Sequence, residues 1–381
     1  MSRRATGPGF RAAFFREIAH LGRSRWDLGM ITLFPLMALA IVAAMLIEGV
    51  PRALPVAVVD LDNSAFSRAI VRAAMATPAV RVASLGPDMP RAERLVRGGQ
   101  MWAILHIPKG AGTGLERART PAIQIFYNAS YLSIGGAAAS GLRTAVTTVI
   151  AARGAEALHK RGLPAARFVA PTVQVTILFN PQTSFEWYLQ ALIDPAVLHL
   201  LAACVTAMAL GRELEGRSLR RWAAETGGGL AALAGKLAPY VLAMSLWGMA
   251  WLIWLTGVRG WTMQGSLALT IAAQALLFAG TACISALLIA GLRETSTALS
   301  ASAIYAGSAL AYSGGTLSLD GGNLFARIWS GLLPFSHYLP IQMDQFLGAP
   351  AGRALPGLGV LALYVIVPLL ALPLLLRRAA R

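Results

Sequence analysis

Six long apolar runs divide the chain, and they constrain its fold more than any other feature of the sequence. They cover residues 28–47, 189–210, 237–258, 267–292, 298–319 and 358–376. Each is about 20 residues long or slightly longer, which is the length an α-helix needs to cross a ~30 Å hydrocarbon layer. Only 13% of the residues are charged, against about 25% in ordinary soluble domains. The sequence therefore predicts an α-helical membrane protein with six transmembrane helices.

The basic residues are distributed in a way that predicts membrane orientation. The chain has 33 Lys and Arg against 17 Asp and Glu, a formal net charge of +16, and such a charge by itself also suits a nucleic-acid-binding protein. About fifteen of the 33 fall in segments that would lie inside, about three in short outer loops, and the rest in one long hydrophilic segment. Because cytoplasmic loops carry the excess of Lys and Arg, we expect both termini in the cytoplasm and no nucleic-acid partner.

The first 27 residues predict an amphipathic elbow helix on the cytoplasmic side. Phe10, Phe14, Ile18 and Leu21 recur at helical spacing with arginines between them. Such a helix lies in the membrane interface with its apolar face among the lipids. The span that follows, 28–47, is too long for a signal-peptide core and has no convincing cleavage site after it, so we expect a retained anchor. At the other end, residues 377–381 form a basic cytoplasmic tail.

Between the first two spans, residues 48–187 predict a folded α/β domain outside the membrane. Strands are expected at 54–62, 80–85, 101–108, 122–128 and 173–181, and helices at 66–76, 90–100 and about 134–160. Strands that alternate with helices indicate a layered α/β unit. Long domains cross the membrane largely regardless of their charge, so the arginines of this segment do not exclude an outside location.

The sequence offers no catalytic centre and no energy source of its own. A phosphate-binding loop needs G-x-x-x-x-G-K-[ST], and the nearest match, at Gly235 and Lys236, has leucine in place of both the first glycine and the hydroxyl residue. The histidines are isolated, so no metal site is expected. The spans carry no charged residue away from their ends, and we place Asp194 at an outer boundary. We therefore expect no enzyme activity and no cofactor in this chain.

Several side chains are candidates for a translocation path. They are His199 in the second span, Trp247 and Trp251 on one face of the third, and Tyr305 and Tyr312 in the fifth. Each also has a plain structural explanation, since a lone histidine, a tryptophan stripe and a semi-polar face all occur where helices pack together or contact lipid. The aromatic outer segment, residues 320–356, predicts short helices that lie half in the membrane.

The layout and several motifs resemble one transporter family. The outer segment opens with PVAVVDLDNSAFSRAIVRA, and FNPQTSFEWYL leads into the second span with Asn180 and Pro181. RELEGRSL, GKLAPY and LPFSHYLPIQ follow in order. Together they resemble permease subunits of ABC-2-type exporters, in the subgroup with a large extracytoplasmic domain between the first two spans. The chain departs from the pattern at Gly216, Ser218 and Arg220, and Gly227 to Gly229 lengthen the cytoplasmic loop.

The resemblance implies a bacterial inner-membrane exporter that moves an amphiphile such as a drug or lipid. A separate ABC ATPase subunit would bind ATP and Mg²⁺, and the permease would pair with a second copy or a paralogue. A periplasmic adaptor protein is a further implied partner. The ATPase would dock on the elbow and the cytoplasmic loop, 211–236, with Leu219 or Trp222 as its apolar anchor. The implied coupling residues are Arg212, Glu213, Glu215, Gly216, Ser218, Leu219, Arg220 and Trp222.

Two other classes of protein remain as alternatives. The first is a membrane receptor or assembly scaffold whose outer domain binds a ligand or an adaptor. A receptor needs a cytoplasmic effector domain, and no inner segment exceeds about 30 residues. The second is a membrane-bound transferase, which needs acidic or histidine clusters at a membrane face, and the sequence has none.

Overall fold

The computed structural model describes residues 9–47, 52–116, 123–127, 132–160, 184–215, 218–316 and 323–379. The chain forms two compact units. One combines Met1–Ile47 with Glu186–Arg381, and the other is Glu48–Phe185. We call them the helical unit and the α/β unit.

The helical unit begins with α1 (Phe10–Leu21) and α2 (Arg25–Leu46). The α/β unit follows with β1 (Leu54–Asp60), α3 (Ala65–Ala76), β2 (Val80–Gly86), α4 (Met89–Arg97), β3 (Ala103–Ile107), α5 (Ala111–Glu116), β4 (Gln124–Tyr127) and α6 (Leu132–Lys160). The chain returns to the helical unit with α7 (Phe185–Glu215), α8 (Leu219–Thr226), α9 (Gly229–Ile253), a π turn (Trp254–Val258), α10 (Leu267–Leu292), α11 (Thr295–Ser308), α12 (Leu324–Gly331), α13 (Pro334–Phe346) and α14 (Ala354–Ala379).

The α/β unit contains a four-stranded mixed sheet in the order β2-β1-β3-β4. β1 pairs in parallel with β2 and β3, and β4 runs antiparallel to β3. Successive side chains of a strand point to opposite faces, so Val56 and Val58 pack under α3 and α6, while Ala57 and Val59 pack under α4. These elements lie within a few residues of their predicted positions. The fifth expected strand, 173–181, lies outside the described residues.

Six described helices are long and apolar enough to cross a membrane. They are Arg25–Leu46, Ile134–Arg153, Glu186–Leu214, Gly229–Val258, Leu267–Leu292 and Ala351–Leu376. Five of them overlap predicted spans. The stretch Ile134–Arg153 belongs to α6 instead, where Leu142 and Val146 are buried in the same core as the sheet. Its apolar face is therefore explained by packing within the α/β unit.

The predicted fifth span, 298–319, is wrong in length. α11 has 14 residues, about 21 Å at 1.5 Å per residue, and turns follow as far as Thr316. Two serine hydroxyls donate to backbone carbonyls three residues earlier, Ser308 to Tyr305 and Ser313 to Leu310. Gly314 has a φ of +79°, a left-handed conformation that continues no helix. Serine and glycine chemistry therefore ends the helix early.

The outer segment does contain two short helices, α12 and α13, but their aromatic residues do not all lie at a surface. Phe335 and Tyr338 are fully buried in the main core of the helical unit. Tyr338 donates a hydrogen bond to Gln342, whose amide donates to the carbonyl of Ala191 in α7. Because these side chains tie α13 to α7, α13 is part of the helical core. The expectation that the segment lies half in the membrane stays a prediction.

Asp62 closes the loop at the carboxyl end of β1. Its carboxylate accepts hydrogen bonds from the backbone N–H groups of Gly110 (2.8 Å) and Gly112 (3.0 Å) and from the Ser64 hydroxyl (2.5 Å). Partial burial raises the pKa of Asp62, but these donors outweigh burial and hold it below its ordinary value. The folded state therefore favours the ionised form.

We predict that the stabilisation supplied by Asp62 depends on pH. A carboxyl group whose folded pKa is lowered stabilises the fold above its unfolded pKa, and this contribution is lost as the pH falls through the folded pKa. At pH 7, Asp62→Asn should reduce the hydrogen-exchange protection of β1 and β3 by about 1–2 kcal/mol. In acid the variant and the unchanged chain should converge when compared at the same pH. A difference that stays constant from neutral to acidic pH would contradict this account.

Candidate functional site

Several helices of the helical unit meet at one of its ends. A Cβ on Gly235, in the first turns of α9, would lie 2.2 Å from the carbonyl oxygen of Phe10, so only glycine lets α1 lie directly on α9. A Cβ on Gly211, near the end of α7, would lie 2.5 Å from the hydroxyl of Thr295, the first residue of α11. Trp222 of α8 packs in the same cluster as Leu372 of α14. This end therefore gathers the elements on which the sequence placed its coupling residues.

Glu17 of α1 is the centre of a buried cluster at this end. Its side chain is 2% exposed, and the Lys236 ammonium lies 2.7 Å from its Oε2. The Tyr240 hydroxyl donates to Oε1 at 2.6 Å, and the Arg212 guanidinium donates to the same oxygen. Glu17 thus joins α1 to the end of α7 and the beginning of α9.

Glu213 is the second carboxylate of the cluster. It accepts from Arg16 at 2.6 Å and from Lys236 at 3.1 Å, and also from the Ser218 hydroxyl that precedes α8. Asp27, in the first turn of α2, is the third carboxylate and accepts from Arg212. The group is therefore balanced in charge. We call it the ion cluster, and its members are Arg16, Glu17, Asp27, Arg212, Glu213 and Lys236.

The ion cluster is costly to break because Lys236 is completely buried. Removing one partner of a buried ion pair leaves the other charge without compensation, which destabilises proteins by about 3–5 kcal/mol. Its geometry is also directional, since Arg212 donates to carboxylates on both α1 and α2. These contacts fix how α1 and α2 sit against α7 and α9.

The cluster reaches solvent on the side of α8. Arg16 also lies 3.0 Å from Glu225, which pairs with Arg221 at 2.7 Å. The hydrogen bond from Arg221 and the charge of Arg16 hold the pKa of Glu225 below its ordinary value. Partial burial lowers the pKa of Arg16, but Glu213 and Glu225 leave it above its ordinary value. A polar cleft of about 210 Å³ lies between α1 and the end of α7, and its lining residues are Arg16, Glu17, His20, Arg23, Arg212 and Glu213.

The segment 211–236, expected as a loop, is mostly helical. Residues 211–215 end α7, and α9 begins at Gly229 after the short helix α8. Charged and capping side chains explain this, because the hydroxyl of Ser218 is held by Glu213, and Gly227 and Gly228 adopt positive φ between α8 and α9. The predicted coupling region is thus a helical hairpin with α8 at its tip.

The predicted coupling residues fall into three groups in the structure. Arg212 and Glu213 are held inside the ion cluster, and Ser218 donates to it. Leu219 and Trp222 are 7% and 3% exposed and pack into the chain's own core. Because both are buried, neither is available as the apolar anchor for a partner that the sequence suggested. Arg220 is exposed, and the side chain of Glu215 and the whole of Gly216 lie outside the described residues.

The five candidates for a translocation path do not come together in one cavity. The His199 ring is fully buried between α7, α10 and α13, where its Nδ1 lies 2.7 Å from the Thr281 hydroxyl. The Trp247 indole donates to the carbonyl of Ile31 and so joins α9 to α2. Trp251 is buried in a separate cluster. These three side chains make contacts between helices.

Tyr305 and Tyr312 lie elsewhere, near α12. The Tyr312 ring meets the edge of Phe325. Tyr305 donates to the carbonyl of Leu332 at 2.7 Å and lines an open apolar groove of about 540 Å³. The other residues of this groove are Ile284, Trp329, Leu332, Val360, Leu363, Tyr364, Val367 and Pro368.

Sequence reasoning missed most of the ion cluster. Glu17 and Arg16 occur in a segment whose charges looked like the solvated face of an amphipathic helix, and Lys236 looked like the end of a hydrophilic loop. The position of Asp194 was also predicted wrongly, at the outer end of its span. The helix α7 begins at Phe185, about two and a half turns before Asp194, and the Asp194 side chain is fully buried. One signal was present: Lys236 stands beside a glycine at the start of a long apolar run, where a lysine needs a partner.

We predict that Lys236→Met lowers the thermal unfolding midpoint of the purified chain and exposes α1 to protease. The change leaves Glu17 and Glu213 without their shared cation, at a cost of about 3–5 kcal/mol. Adding Glu17→Gln should restore part of the loss, because charge balance returns. Arg221→Met is the matched control, since it removes a cation from an exposed pair worth about 0–1 kcal/mol. Equal midpoints for Lys236→Met and Arg221→Met would contradict the assignment.

Comparison with known proteins identifies the family. The sequence profile of the ABC-2 family transporter proteins matches residues 25–372, which includes nearly all of both units. No curated protein and no solved structure matches the chain. The match extends from the first described span to the last, in agreement with the motifs that suggested this family, and the chain belongs to the ABC-2 family of transporter proteins.

Proposed function

We propose that this chain is the permease subunit of an ABC exporter that moves an amphiphilic substrate out of the bacterial inner membrane. A separate ATPase subunit binds ATP and Mg²⁺ and supplies the energy. Membership of the ABC-2 family supports the transporter role, and the sequence lacks a phosphate-binding loop. The observation that carries the mechanical part of the proposal is the ion cluster, which joins the helices nearest α8 into one body.

The ATPase docks on the exposed side of the end that carries α8. Arg221 has an 80% exposed side chain, and Leu230, at the start of α9, is 41% exposed. Arg293 and Glu294, between α10 and α11, are exposed beside the end of α7. This surface offers charged groups around an apolar residue, an arrangement that suits a protein interface with a polar rim. This surface takes the docking role that the sequence had assigned to Glu213 and Trp222, because both of those side chains are buried within the chain.

Motion passes from this surface into the membrane through the ion cluster. A displacement of α8 pulls on Glu213 through Ser218 and on Arg16 through Glu225. Lys236 and Arg212 then carry the displacement to α9 and α7, because both side chains are held by buried carboxylates. α1 serves as the elbow of this assembly, on the cytoplasmic side together with both termini.

Two permeases, as a second copy or a paralogue, form the complete membrane part of the transporter. The α/β unit lies on the periplasmic side and docks an adaptor protein or guides substrate away. The apolar groove beside Tyr305 suits the hydrocarbon portion of an amphiphile, since the indole of Trp329 and the hydroxyl of Tyr305 are both engaged in hydrogen bonds. Its lining is therefore aliphatic and aromatic.

We predict that Arg221→Glu combined with Arg293→Glu abolishes the binding of the ATPase while leaving the chain folded. Reversing two exposed charges on a docking surface should lower stimulated ATP hydrolysis at least about tenfold, which corresponds to about 1.4 kcal/mol. Co-purification of the ATPase and its hydrolysis rate in lipid nanodiscs are the measurements.

Arg353→Glu provides the matched control, because the Arg353 side chain is similarly exposed, at 70%. Arg353 precedes α14, whereas the other end of α14 packs near α8. The control should retain the ATPase. Unchanged stimulation in the double variant would rule out the proposed surface, and loss in Arg353→Glu as well would show that the effect is not specific to it. A chain that binds its ATPase but responds to a periplasmic ligand without moving substrate would favour the receptor alternative.

A further inference from the structure

A stripe of polar side chains follows one face of α7 into the helical unit. Glu186, Gln190 and Asp194 are spaced four residues apart, so they lie one above another on the same face of the helix. All three are buried, with exposed fractions of 5%, 0% and 0%. The stripe extends over about 12 Å, since an α-helix rises 1.5 Å per residue.

The first residue of the stripe is fully paired. Both carboxylate oxygens of Glu186 accept from Arg259, each at 2.6 Å. Arg259 follows the π turn at the end of α9 and is partly exposed, with 29% of its side chain in contact with solvent. This pair therefore marks the end of the stripe that is nearest to solvent.

The other two residues have no partners within the described part of the chain. Both oxygens of Asp194 lack a hydrogen bond, and so do both amide atoms of Gln190. The Trp251 indole of α9 lies near the Asp194 carboxylate, but its Nε1 does not meet hydrogen-bond geometry and is also without a partner. Three buried polar side chains of α7 and α9 are thus left with polar atoms that lack a hydrogen-bond partner.

An unpaired carboxylate cannot remain ionised at such a place without a large cost. Burying an isolated charge costs far more than burying a neutral polar group, and ionisable groups inside membrane helices are kept for a function. Either of two ligands, a cation or a proton, would remove the cost of burying this charge. A metal ion needs several oxygen ligands, whereas the unpaired groups described around Asp194 include two hydrogen-bond donors, the Trp251 indole and the Gln190 amide nitrogen.

We propose that Asp194 is a proton-binding site. In this conformation its side chain is a carboxylic acid. A neutral acid donates one hydrogen bond and accepts others, which matches the amide of Gln190 and the indole of Trp251. The site is part of this chain alone and needs neither the ATPase nor a second permease.

The charged and titratable groups on the surrounding elements do not neutralise Asp194. Glu186 and Arg259 pair with each other, and Asp344 of α13 pairs with Arg353 at 3.5 Å. Tyr338 of α13 donates to Gln342. The remaining groups lie farther along a helix, at the surface or at the other end of the unit. His199 is about 1.4 turns farther along α7, His337 is at the surface of α13, and Lys236 is in the ion cluster.

The test is reaction of the purified chain in lipid nanodiscs with dicyclohexylcarbodiimide, which modifies protonated carboxyl groups in apolar surroundings. Mass spectrometry then compares Asp194 with Glu186 in the same sample. We expect Asp194 to be labelled at pH 7 and Glu186 not. The labelling rate should fall about tenfold for each pH unit above the titration midpoint of a single group.

Infrared difference spectroscopy provides a second measurement on the same chain. The carboxylic acid C=O band of the unchanged chain should be present at pH 7 and absent from Asp194→Asn, whereas Glu186→Gln should retain it. Because asparagine has the shape of the neutral acid, Asp194→Asn should unfold at the same temperature as the unchanged chain at pH 7. If the unchanged chain showed neither the label at Asp194 nor the acid band at neutral pH, the proposal would be overturned. This outcome does not depend on whether Asp194→Asn folds.

Discussion

The contact between the buried Lys236 ammonium and the Glu17 carboxylate is the interaction on which the organisation of this protein depends. Neither group is stable alone in an apolar interior, because an unpaired buried charge is far costlier than a paired one. The two residues are 219 positions apart and belong to α9 and α1. Their pairing therefore forces the N-terminal helix to lie against the first turns of α9. Arg212 and Glu213 complete the charge balance and bring in α7 and α2.

This constraint explains why the described helices of the membrane part are joined by a cluster of ion pairs at the end that carries α8. Elsewhere the described helices of the unit pack mostly through aliphatic, aromatic and small residues, as in the core around Leu277, Phe278 and Phe335. The Glu186–Arg259 pair is an exception that joins the beginning of α7 to the end of α9. The apolar contacts allow helices to slide and rotate at low cost, whereas buried ion pairs fix direction and distance. A transporter that is driven by a separate ATPase, as proposed above, needs both properties. The cluster holds the receiving end rigid, and the apolar packing above it leaves the helices free to rearrange.

Hydrophobic periodicity predicted most elements of the fold, because it reports on burial within a single element. It located five of the six spans and, apart from the short helix α5, the strands and helices of the α/β unit that the structure describes. It failed for α11, where serine and glycine turns end an apolar run early. The ion cluster was not predictable by the same means, because the partner of Lys236 lies in a segment that looks like a solvated helix. Asp194 was misplaced because α7 extends beyond the apolar run that defined its span.

The central claim is that α1 and α9 move as one body when the transporter works. The most direct measurement is the distance between spin labels at Phe15 of α1 and Ile253 at the far end of α9, two exposed positions, with Cys204 and Cys283 replaced by alanine. The account predicts one narrow distance distribution that is the same in the nucleotide-free and ATP-bound transporter, and a broader one after Lys236→Met. A distance that changes with nucleotide in the chain with an intact ion cluster would contradict it.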